Sequence, residues 1–139
     1  MGRQKILMLE YDQDDRYLTQ ESMTEIGRGV HIDFVRNSEE FWAYLHGRYR
    51  DKSSYPSLIL LSQKAAPQSA LSILKELKSS SHYSYIPVIV LGNISYPDIT
   101  RDYYAAGASS FIQKPATNKA TQSKIANFID YWFDTVELE

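Results

Sequence analysis

Apolar residues come in short blocks along this chain, and the blocks alternate with longer stretches whose apolar positions recur every three or four residues. The blocks read as five strands: Lys5–Leu9, Val30–Val35, Ser57–Leu61, Ile86–Leu91 and Ser109–Gln113. Between and after them lie five helix patterns. The first, Asp14–Ile26, opens on acids and meets Gly27 just past its end, which suits the helix dipole and a C-terminal cap. The second, Glu39–Tyr49, follows the capping residues Asn37 and Ser38 and places Phe41, Trp42 and Leu45 on one face. The third, Ser69–Lys78, aligns Leu71, Leu74 and Leu77. The fourth, Tyr96–Ala108, carries Pro97 near its start and Gly107 near its end. The last, Asn118–Val136, aligns Ile125, Phe128, Ile129, Trp132 and Val136, which leaves Tyr131 off the stripe. The tract Ser79–Ser84 reads as a polar loop.

Strands this apolar are covered on both faces, so the pattern predicts a parallel sheet between two helix layers. Right-handed crossovers leave few orders for five strands, and the commonest is the flavodoxin-like α/β/α sandwich of order 2-1-3-4-5. Its site lies outside the carboxyl ends of strands 1 and 3, where the order reverses. Here those strands end on Glu10 and Ser62.

Composition narrows the function classes. A length of 139 residues fits one domain, 1–139, with nothing left for an attached output domain. The absence of cysteine removes disulfides, thiolate nucleophiles and zinc–sulfur sites. A net charge of -2 with mixed signs argues against a nucleic-acid surface. No apolar run approaches the ~20 residues of a membrane helix, and the first ten residues do not make a secretion signal, so the expected location is the cytoplasm. His31, His46 and His82 are scattered without ligand spacing, and no glycine-rich phosphate loop follows strand 1, so neither a metal nor a cofactor is expected. Eleven tyrosines are more than a core absorbs.

The strand ends carry a resemblance. "KILMLEYDQDDR", "PSLILLSQ", "LSILKELK", "IPVIVLG", "YYAAGASSFIQKP" and "IDYW", in that order, resemble the receiver domain of bacterial two-component response regulators over essentially the whole chain. The strongest stretch is "GASSFIQKP", in which a glycine, small residues and an aromatic lead into Lys-Pro at the end of the fifth strand. The resemblance implies a pocket in which an acid pair after strand 1 and an aspartate after strand 3 hold Mg²⁺. That aspartate accepts a phosphoryl group from a histidine kinase. A Thr or Ser after strand 4 and the lysine bind its oxygens, and the aromatic responds. Glu10 matches the first acid, Lys114 the lysine (with Pro115 after it), and Phe111 the aromatic. Tyr11 falls on the second acid, with Asp12 one place later; Ser62 falls on the phosphoacceptor and Gly92 on the Thr/Ser position.

Electrostatics gives those departures their meaning. A receiver pocket of three carboxylates against one lysine carries a charge of about -2, which a hard divalent cation balances through oxygen ligands. Glu10 and Lys114, with neutral Tyr11 and Ser62, sum to -1 + 1 = 0, and Lys64 lies two residues beyond Ser62. Phosphoryl transfer needs the missing charge. The expected protein is therefore a stand-alone, non-enzymatic pseudo-receiver acting through protein–protein contacts. Glu10 pairs with Lys114, and Ser62 is a small polar strand end bonded to Lys114. Asp12 serves the dipole of the first helix. Two other readings remain at this point: a phospho-responsive receiver using Asp12, and a small flavodoxin-like enzyme with Ser62 as nucleophile, which needs a base and an oxyanion site that the sequence does not display. The resemblance nominates the face of helix 4, strand 5 and helix 5 for a signalling partner, a histidine kinase or another regulator. Tyr103, Tyr104, Phe111 and Tyr131 fall there. Self-association through that face would give a symmetric dimer.

Overall fold

The structure is a computed structural model that describes residues 5–26, 30–92 and 97–113 together with Asn127 and Tyr131, the side chains of 22–26 excepted. Its strands are β1 (Lys5–Leu9), β2 (His31–Val35), β3 (Leu58–Ser62), β4 (Val88–Gly92) and β5 (Ser110–Gln113). Its helices are α1 (Gln13–Ile26), α2 (Ser38–His46), α3 (Ala70–Ser79) and α4 (Pro97–Ala105), with one 3₁₀ turn at Lys52–Ser54. The sheet is parallel throughout, in the order β2-β1-β3-β4-β5. Apart from Asn127 and Tyr131, the predicted fifth helix, with Trp132, lies outside the described residues, as do Lys114 and Pro115.

Alternation along the central strands sends their side chains into two cores. Leu7, Leu9, Ile59, Leu61, Val88 and Val90 face one way, against Phe41 and Leu45 of α2 and Ile73, Leu74 and Leu77 of α3. Ile6, Met8, Leu58, Leu60, Ile89 and Leu91 face the other way, with Ile32. A strand buried on both faces cannot alternate apolar with polar residues, which is why these read as unbroken apolar runs.

Two expectations change in detail. The α3 stripe is Ala70, Ile73, Leu74 and Leu77, and Leu71 sits at its half-buried margin, because the helix is rotated toward the sheet by about one position from a pure leucine stripe. The tract 79–84 is not polar throughout. Tyr83 is buried within it, and its hydroxyl donates to the Leu45 carbonyl at 3.1 Å. Of the two capping candidates for α2, Asn37 accepts the Glu40 N–H at 2.8 Å. Ser38 instead binds the chain after β3. Its N–H donates to the Ala66 carbonyl and its Oγ accepts from Gln68 N, both at 3.0 Å. Trp42 Nε1 donates to Gln68 Oε1 at 2.7 Å, so α2 holds the β3–α3 connection at three points. Gly107 follows α4 with φ 108, a left-handed conformation that a side chain resists.

Candidate functional site

Parallel strands deliver their carboxyl ends to one edge, so Glu10, Ser62 and Gly92 arrive together at the ends of β1, β3 and β4. The register sets Leu9 beside Leu61 and Ser62 beside Leu91, which makes Glu10 and Ser62 neighbours at the switch point. Both are buried: Glu10 is 2% exposed and Ser62 1%. Ser62 Oγ accepts the Lys64 N–H at 3.4 Å and its carbonyl accepts Ala65 N at 3.0 Å, so this serine closes the turn out of the strand. Glu10 Oε2 accepts Asp12 N at 3.3 Å. The Glu10–Lys114 and Ser62–Lys114 pairs fall on a residue outside those described.

Tyr11, which the resemblance sets at the second acid position, is 77% exposed. Asp12 Oδ1 accepts Asp15 N at 3.0 Å and so caps the first turn of α1, the role that its place beside a helix start implied. Arg16 ties the same turn from above, with Nη1 donating to the carbonyls of Glu10 and Tyr11 at 2.9 Å each. The sequence carried no signal for that contact, because a guanidinium reaching back five and six residues follows no helical period. An open groove of about 800 Å³ lies over this edge, walled by Tyr11, Ala66 and Pro67 and rimmed by Asp12, Arg36 and Lys64. The Ala66–Pro67 bond in its wall is cis. Arg36 is committed to Glu40, with Nη2 at 2.8 Å from Oε2, and this pairing holds the Glu40 carboxyl below its usual range.

The residues here do not fit a divalent cation. Magnesium wants several oxygen ligands with carboxylates among them. Tyr11 and Ser62, which the resemblance sets at two of the carboxylate positions, supply none, and among the described residues no three His, Cys, Asp or Glu side chains gather closely enough to hold a metal.

Gly92 shows the largest departure. A Cβ built on it would lie 2.2 Å from Phe111 Cζ and 2.6 Å from Cε1. The phenyl ring therefore fills the space that any side chain at this position would need. It packs at 5.3 Å on Tyr103, which is buried and whose hydroxyl is harder to ionise for that reason. Tyr104 points outward, 47% exposed, with its hydroxyl accepting Phe111 N at 3.1 Å. Tyr131 is 53% exposed.

No family model matches the chain. Among curated proteins it is 23% identical over 127 residues to a probable methanogenesis regulatory protein, FilR2, of Methanothrix harundinacea, covering 91% of this chain and 82% of that one. Among solved structures it is similar to the phosphorylated cyanobacterial phytochrome response regulator RcpA, with a TM-score of 0.90, 27% identity and 99% of each chain covered. The Mn²⁺-bound form of response regulator Rcp1 matches with a TM-score of 0.88 and 23% identity over 98% of this chain and 99% of that one. Matched end to end by such neighbours, the parallel order β2-β1-β3-β4-β5 gives the chain the fold of a response-regulator receiver domain.

Proposed function

We propose that this receiver domain signals without being phosphorylated, and that it acts by contact with another signalling protein. The observation that carries the reading is the Phe111 ring over Gly92. In a receiver the residue at the position of Gly92, the end of β4, supplies a hydroxyl to the phosphoryl group. Here there is no hydroxyl, and the ring occupies the space one would need. Ser62 supports the same reading. A buried hydroxyl that closes a turn has neither the charge nor the base that acceptor chemistry requires. RcpA was crystallised in a phosphorylated form; at 27% identity this chain keeps the scaffold and lacks the acid at the acceptor position.

With the ring inward, the α4–β5 surface is held in one state and binding there is constitutive. Tyr104 is the exposed aromatic it offers a histidine kinase or another regulator, and the resemblance adds Tyr131, which is also exposed. Self-association through this face would give a symmetric dimer.

The test is incubation with a small phosphodonor and Mg²⁺, followed by intact mass. The expected result is an unchanged mass. An acid-labile phosphate adduct would overturn the reading, and its location on Asp12 would restore the phospho-responsive alternative.

A further inference from the structure

The opposite edge of the sheet carries chemistry that the strand-end site does not use. The segment between α2 and β3 and the segment before β4 both run there, since Ser57 N donates to the Lys5 carbonyl at the start of β1 and Ile59 N to Pro87 O at the start of β4. Together they enclose an open pocket of about 520 Å³ walled by Tyr55, Pro56 and Tyr85 and rimmed by Lys52 and Ser53. That size falls in the ~300–1,000 Å³ range of ligand pockets.

The walls are fastened. Tyr55 is buried and its hydroxyl donates to the Tyr49 carbonyl, while its ring lies 5.4 Å from that of Tyr83. Lys78 Nζ donates to Ser84 O at 3.1 Å and Ile86 O at 2.8 Å, which grips the backbone on both sides of Tyr85. Tyr49 and Tyr85 remain 44% and 43% exposed on this held framework, so aromatic surface is presented without the entropy cost of ordering a loop.

The charges beside the pocket, from Arg50, Asp51 and Lys52, sum to 1 - 1 + 1 = +1. Arg50 Nε donates to the Tyr49 hydroxyl at 3.2 Å, and among the described residues its guanidinium meets no carboxylate. The Lys52 ammonium likewise has no partner among the described residues. The acid between them, Asp51, spends one oxygen, Oδ1, on Ser53 N and Oγ at 3.1 and 2.6 Å. Those bonds hold its carboxyl below the usual range. Lys52 thus stands on the rim of the aromatic slot, and Arg50, two residues earlier in the chain, lies over the Tyr49 ring at 5.6 Å.

We propose that this edge is a docking site for an acidic peptide segment, with an apolar side chain seated between Tyr55, Pro56 and Tyr85 and flanking carboxylates on Arg50 and Lys52. A peptide is favoured over nucleic acid because two cations neutralise only about two phosphates, too few for a polyanion surface. The site lies at the far edge from Ser62 and Gly92 and does not depend on whether the domain is phosphorylated.

The test is an NMR titration of the ¹⁵N-labelled full chain with the capped pentapeptide Glu-Asp-Phe-Glu-Asp at low salt. Amide shifts are expected to concentrate in 49–56 and 82–86. The double variant Arg50→Glu/Lys52→Glu should weaken the probe by about tenfold or more while urea unfolding stays unchanged, and Lys52→Gln alone should weaken it less. The proposal is overturned by no saturable shift, by shifts centred on the Glu10 edge, by equal binding of the charge-reversed double variant or of a lysine-for-acid probe, or by a tighter response to an oligothymidylate.

Discussion

The two edges of the sheet differ in what they do with polar groups. At the carboxyl edge they are drawn inside and satisfied locally: Ser62 and Glu10 are buried, Asp12 caps α1, and Arg16 serves the carbonyls of Glu10 and Tyr11. At the amino edge the aromatic scaffold is buried and hydrogen-bonded, but the cations are left outside it. In this fold the carboxyl edge is where ligands are usually bound. Here the two strand-end side chains of that edge are buried and Lys64 stays exposed on the rim of its groove, while the amino edge keeps Lys52 on the rim of an aromatic pocket.

The sharpest way to break that contrast is Gly92→Thr. The new Cβ overlaps Phe111, so the ring must leave or the sheet must shift, and overpacking of this kind costs about 1–3 kcal/mol. Urea unfolding should show the loss, and Phe111→Ala in the same chain should recover most of it as a coupling in a double-mutant cycle. Additive effects would mean that the ring is not held over Gly92.

Ser62→Asp probes the same edge through charge. It sets a second buried carboxylate beside Glu10, and like charges in a desolvated site disfavour ionisation. Stability in EDTA should fall by about 1–2 kcal/mol, the scale of an imperfectly paired buried charge. A melting temperature equal to or above that of the native chain would mean that a cation already present compensates.

At the amino edge, Lys78→Met removes the two bonds that grip the Tyr85 segment, at a cost of about 1 kcal/mol. Burial makes the Lys78 ammonium easier to deprotonate, which moderates the loss. Hydrogen exchange should quicken at 84–86 and stay unchanged at 60–63; faster exchange at both edges would show that they are not independent.

The smallest effect is a pH dependence on β2. Burial pulls the Asp33 carboxyl up, but hydrogen bonds from Tyr44 and His31, with the charges of His31 and Arg48, outweigh it and leave the carboxyl below its ordinary value. A carboxyl depressed in the folded state contributes stability that is present above the unfolded value and lost as pH falls through the folded one. The loss therefore lies below about pH 4. Asp33→Asn should flatten the acid limb of a stability–pH curve there. An unchanged limb would mean that the network is equally favourable with the carboxyl protonated.

Much of this was legible in the chain. Five apolar blocks between amphipathic stretches determined the element order, because strands buried on both faces and helices buried on one have different periods. Lys5–Leu9 was bounded to the residue, and β3 and β4 each lie one or two residues later than their apolar runs suggest. The misplaced margins are where tertiary contact overrides local pattern. Leu71 yields its place to Ile73 because the sheet sets the rotation of α3, and Tyr83 is drawn under a polar loop by a carbonyl of α2. Periodicity alone set Glu10 and Ser62 at the ends of two adjacent strands, while the place of Gly92 and the identity of the missing charges came from the resemblance. Only the tertiary structure decides what replaced them. The ring over Gly92 comes from a strand nineteen residues on, and the clamp on the β3–α3 connection joins residues 26 and 30 positions apart. Local periodicity reports the chemistry of neighbours along the chain, whereas space-filling and hydrogen-bond closure depend on which distant residues the fold brings together.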